Sequence, residues 1–97
     1  MKHLVLFRVQ PGGLTEERKR QIEQVYAQLA ELVEGLRSVK VYYNCVDREQ
    51  NLDVMVEMEL DGPQALKAYL EHPLHVEFAA DSREFISQAV SFDYRVK

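Results

Sequence analysis

The chain has 97 residues, 46% hydrophobic and 29% charged, which fits one globular domain (1–97) and excludes wholesale disorder. Twelve basic residues against sixteen acidic ones give a net charge of −4, so there is no basic surface for an unselective grip on nucleic acid or anionic lipid. A single cysteine, Cys45, excludes an internal disulfide and a multi-cysteine zinc site, and points to a reducing, cytoplasmic setting.

The first strand is expected from about Lys2 to Val9. His3, Val5, Phe7 and Val9 share one face; Leu4, Leu6 and Arg8 share the other. The apolar stretch Leu4–Phe7 is too short for a signal-peptide core, and no run reaches the length of a membrane span. Pro11-Gly12-Gly13 breaks the strand, and Thr15 is placed to cap a helix with Glu16 and Glu17 in its first turn. Ile22, Val25, Tyr26, Leu29, Leu32 and Val33 form the apolar stripe of that helix, which Gly35 ends.

Alternation then predicts a strand with Val39, Val41, Tyr43 and Cys45 on one face, a turn over 47–51, and a returning strand over 52–60. Asp61 is placed to cap a short second helix carrying Leu66, Tyr69 and Leu70. Pro73 forces His72 out of helical conformation and ends that helix. A third helix is expected to align His75, Phe78, Ala79, Ser82, Phe85 and Ile86, with a last strand alternating Val90, Phe92, Tyr94 and Val96.

The order βαββααβ predicts a ferredoxin-like α+β fold with a four-stranded antiparallel sheet. Right-handed crossovers place every helix on one face of the sheet. The other face carries Leu4 and Leu6, and a second copy of the chain is expected to cover it, giving a homodimer through the open sheet face.

No glycine-rich phosphate loop, nucleophile elbow, HExxH or CxxC motif is present. The dense group of chemical side chains is Tyr69-Leu70-Glu71-His72-Pro73-Leu74-His75. The helical phase of His75 aims it inward, and His3, Tyr69, His72 and His75 can converge on a pocket between helices and sheet. A shielded imidazole beside a phenol suits proton abstraction next to a carbonyl, needing neither cofactor nor metal. Bland roles stand beside these: His72 as the cap of the third helix, His75 as a core histidine bonded to a backbone carbonyl, and Tyr69 as a core phenol.

The opening Lys2-His3-Leu4-Val5-Leu6-Phe7, the element Tyr69-x-x-His72-Pro73-x-His75-x-x-Phe78 and the closing Phe92-Asp93-Tyr94 resemble the stress-responsive A/B barrel (Dabb) family over the whole chain. The resemblance implies a dimeric α+β barrel with a cavity in each subunit. It also implies kinship with plant polyketide cyclases of the olivetolic acid cyclase type. In those, the histidine matching His75 is the catalytic base, and the tyrosine matching Tyr69 holds and polarises the substrate. The matches to His3 and His72 lie near the same pocket. Val5, Phe7, Ile22, Tyr26, Val56, Phe78 and Ile86 fall at positions expected to line it. Cyclase- or lyase-like chemistry on a small apolar or carbonyl-containing ligand is thus one expectation; a non-catalytic ligand-binding or stress-protective dimer is the other.

Overall fold

The computed structural model describes residues 1–96. Its elements are β1 (Lys2–Val9), α1 (Glu16–Leu32), β2 (Leu36–Tyr43), β3 (Val54–Leu60), α2 (Pro63–Glu71), α3 (Pro73–Asp81), a single 3₁₀ turn (Ser82–Glu84) and β4 (Ile86–Tyr94). The four strands form one open antiparallel sheet in the order β2-β3-β1-β4. This is the ferredoxin-like arrangement that the sequence pattern predicts.

Thr15 caps α1, its hydroxyl accepting the Arg18 amide at 3.2 Å. The buried stripe Ile22, Tyr26 and Leu29 packs onto Val54, Val56 and Met58 in the sheet, alongside Phe7, Leu36 and Leu60. Gly35 follows the helix with φ +89°, in the left-handed region, and a side chain there would meet Ala65.

Three expectations are corrected. Asp61 does not cap α2: both its carboxylate oxygens are held by the Arg37 guanidinium at 2.7 and 2.6 Å, and Gly62 is the cap residue. Pro63 at the first helical position has no N–H, so the helix start has fewer donors to satisfy. The third helix is also shorter than its apolar phase suggests. It stops at Asp81, Phe85 closes the 3₁₀ turn, and Ile86 is already the first residue of β4. Pairing decides this: Ile86 to Tyr94 run against β1, with Val90 opposite Leu6 and Asp93 opposite His3. The ladder outweighs a helical period that continues by coincidence. Val96, expected in the last strand, lies beyond it.

The helical layer covers the sheet unevenly. α3 contributes no fully buried residue, and β4 is exposed along nearly its whole length. The gap between α2, α3, β1 and β4 holds the candidate site. On the opposite sheet face, Tyr42, Val90, Phe92 and Tyr94 are exposed around Leu4, Leu6 and Met55. Among the described residues, no helix is long and apolar enough to cross a membrane.

Candidate functional site

The gap encloses about 400 Å³, within the usual range for a small-molecule site. Its floor is Val5 and Phe7 of β1, with His3 at one end. Tyr26, Tyr69, Leu70, His75, Phe78 and Ala79 line the helical side, and Arg83 with the small or polar residues of β4, Ser87, Ala89 and Ser91, lines the open side.

His75 sits in the first turn of α3, because Pro73 fills the first helical position and His72 is held extended ahead of it (φ −62°, ψ 133°). Its Nδ1 lies 3.0 Å from the Leu70 carbonyl oxygen. A carbonyl only accepts, so Nδ1 carries the hydrogen, and the neutral ring has its lone pair on Nε2. Burial lowers the pKa of His75 from its ordinary value, chiefly by desolvation; the Leu70 bond opposes this and the charge of His3 adds to it. Neutral His75 is therefore the resting form at pH 7. The backbone bond of the core-histidine reading is present, and the ring also lines the cavity.

Tyr69 is wedged between the two imidazoles. Its ring centroid is 4.5 Å from that of His75 and 5.9 Å from that of His3. Its hydroxyl donates to the Tyr26 hydroxyl at 3.3 Å. The Tyr69 proton is thus engaged, and the Tyr26 proton is the one the pair has to offer a ligand. Burial raises both phenols: Tyr26 to about 12, and Tyr69 further still, helped by its bond to Tyr26. At neutral pH both remain protonated. Phe78 meets the Tyr26 ring edge-on at 5.8 Å and closes this wall.

Eight of the expected residues come together on this cavity: His3, Val5, Phe7, Tyr26, Tyr69, His75, Phe78 and Ile86. Three lie elsewhere. Ile22 of α1 and Val56 of β3 are wholly buried in the main core between α1 and the sheet. His72 is the N-cap of α3, its Nδ1 accepting the Leu74 amide at 3.1 Å. The bland reading of His72 is the one the geometry supports. Among the described residues, no group of three histidine, cysteine or acidic side chains is placed to hold a metal ion.

One participant was not singled out as a site residue. Asp93 lies directly opposite His3 on β4, and its carboxylate accepts from His3 Nδ1. Alternation along β1 and β4 places both on the helix-facing side, but only the β1–β4 register makes them neighbours. Arg83 of the 3₁₀ turn and Ser87 and Ser91 of β4 also line the cavity without having been expected there; for Ser87 the reason is that β4 begins four residues before the first position expected for it.

The Stress responsive A/B Barrel Domain (Dabb) family pattern matches residues 1–96. The chain belongs to the Dabb family. An uncharacterised protein of Streptomyces coelicolor is 35% identical over 95 residues, covering 97% of both chains. Olivetolic acid cyclase of Cannabis sativa is 24% identical over 96 residues, covering 97% of this chain and 94% of the cyclase. Among solved structures, a dimeric ferredoxin-like protein of unknown function from Thermobifida fusca superposes with a TM-score of 0.79 at 22% identity, over 98% of this chain and 89% of the other. Hydroxynitrile lyase from Passiflora edulis gives a TM-score of 0.80 at 18% identity, over 99% and 92%. At those identities the structural likenesses establish the shared fold.

Proposed function

We propose that this Dabb protein binds a small carbonyl-containing molecule in the cavity and removes a carbon-bound proton next to the carbonyl, without a cofactor, in a cyclase- or lyase-type reaction. His75 is the base. Tyr69, acting with Tyr26 as a bonded pair, offers one hydroxyl hydrogen to the carbonyl oxygen. The single observation that carries this reading is the bond from His75 Nδ1 to the Leu70 carbonyl, which fixes the tautomer with Nε2 as the lone-pair nitrogen on a ring that lines the cavity. Desolvation keeps that nitrogen unprotonated near neutral pH. Val5, Phe7, Phe78 and Ile86 shape the apolar remainder of the site, with His3 at one end. Family kinship to a cyclase, and a fold shared with a hydroxynitrile lyase, support the reaction class.

The protein acts as a homodimer joined through the open sheet face. Support comes from the exposed aromatic cluster there and from dimeric structures of the same fold. A cytoplasmic setting accords with Cys45, which is exposed and unpaired.

The test uses heptane-2,4-dione, a small linear dicarbonyl, in deuterated buffer. Exchange at the carbon between the carbonyls is followed by proton NMR, with and without protein. The proton-abstraction reading predicts catalysed exchange that rises with pH through the lowered His75 titration and levels off by neutrality. His75→Ala is expected to lower the rate by about a hundredfold or more. Exchange no faster than in buffer, or unchanged by His75→Ala, would refute it and leave a ligand-binding dimer as the better description.

A further inference from the structure

The cavity holds a second imidazole that the proposed base does not use. His3 is 5% exposed, yet it is a polar side chain on a strand whose neighbours on that face are Val5 and Phe7. It lines the same cavity as His75, with the Tyr69 ring between them. The two imidazoles differ in what takes their Nδ1 hydrogen. For His75 it is a backbone carbonyl, which fixes the tautomer but carries no charge. For His3 it is the Asp93 carboxylate, held directly opposite by the β1–β4 register. A carboxylate beside one ring nitrogen favours a hydrogen on the other, which an uncharged carbonyl does far less.

Resting on the proton-abstraction reading above, we infer that His3, held by Asp93, is the proton donor of the site, delivering a proton from Nε2 to the carbonyl oxygen as His75 takes the one from carbon. The step balances within the two rings. The C–H electron pair becomes the C=C bond, and the carbonyl π pair becomes the O–H bond. His75 ends as imidazolium and His3 as neutral imidazole. Solvent restores His3 along the Asp93 side, where the carboxylate is 41% exposed.

The phenols are poorly suited to this transfer. Burial raises both, and their contribution is a hydrogen bond that orients the oxygen. The titratable or charged groups facing His3 are Asp93 from β4, Tyr69 from α2, His75 from α3 and Tyr26 from α1. Lys2, Glu57 and Glu59 pair with one another on the opposite sheet face. Arg83, a permanent cation, lines the same cavity from the 3₁₀ turn. Among the described residues, Asp93 is the carboxylate bonded to His3.

The same exchange assay, run at pH 7, tests the assignment. His3→Gln is expected to lower the exchange rate at saturating heptane-2,4-dione by about tenfold to a hundredfold, while the affinity for the dione, read by NMR, changes little. Asp93→Asn keeps the ring but removes its anion, and is expected to lower the rate in the same direction. It also serves if His3→Gln melts early, since Asp93 is partly exposed. Folded His3→Gln and Asp93→Asn proteins that exchange at the wild-type rate would overturn the assignment while leaving His75 as base. An absence of catalysed exchange in wild type would overturn the function reading instead.

Discussion

Phe92 on the open sheet face offers a quantitative test of assembly. Its side chain sits opposite Leu4 in the β1–β4 ladder, its ring centroid 6.0 Å from that of Tyr94, and the residue is 62% exposed in the single chain. Full burial of a phenylalanine contributes about 1.5–3 kcal/mol, so covering the remaining exposed part is worth about 1–2 kcal/mol. In a two-fold symmetric interface each substitution occurs twice, which doubles the loss to about 2–4 kcal/mol. At about 1.4 kcal/mol per tenfold, Phe92→Ala should weaken the dimer roughly thirtyfold to several hundredfold. Sedimentation equilibrium over a concentration series measures the dissociation constant directly. Because Phe92 lies on the sheet face away from the cavity, the thermal stability of the isolated subunit should change little. A wild-type chain that stays monomeric at high concentration, or a Phe92→Ala dimer of undiminished affinity, would refute assembly through this face.

Three further outcomes follow from the local physics. Gly35→Ala must adopt φ +89° and bring its Cβ to 2.8 Å from the Ala65 Cβ, so it should cost about 2–5 kcal/mol; Gly12→Ala, at φ +73° with open space around it, should cost only about 1 kcal/mol, and denaturant melts compare them. Tyr26 holds its proton to about 12 in the folded state, whereas unfolded tyrosine ionises near about 10; stability should be intact below about pH 10 and fall as pH rises toward 12, with Tyr26→Phe flattening that slope in thermal melts. His72→Ala removes the acceptor for the Leu74 amide and should cost about 1 kcal/mol, whereas His72→Asn should recover most of it by capping the same helix start.

Much of the fold could be read from residue order because its periods are clean. His3-x-Val5-x-Phe7-x-Val9 alternates between a covered and an open face, and the stripe through Ile22, Tyr26 and Leu29 admits only a helix. The corner at His72-Pro73 follows from proline sterics, so the placement of Tyr69 and His75 on successive helices was legible too. Failures occurred where two local signals competed. Phe85 and Ile86 continue the phase of α3, and only the ladder with β1 shows that the chain has turned. Asp61 looks like a cap until Arg37, distant in sequence, claims its carboxylate. The His3–Asp93 pair lies 90 positions apart, and nothing short of strand register joins them. Ile22 and Val56 show the limit of assigning a wall by apolarity alone. Both face the layer between helices and sheet, but α1 packs down onto that part of the sheet and leaves no space there, whereas α3 stands off from β4.

The central claim is that His75 presents an unprotonated Nε2 to the cavity at neutral pH. Nitrogen-15 NMR of histidine-labelled protein reports the tautomer and charge of each ring directly. The structure predicts a neutral His75 with the hydrogen on Nδ1 at pH 7, charging only below the usual histidine range, and an Nε2 resonance that moves when heptane-2,4-dione is added. A His75 that is doubly protonated at pH 7, or that carries its single hydrogen on Nε2, would contradict the assignment of this residue as the base.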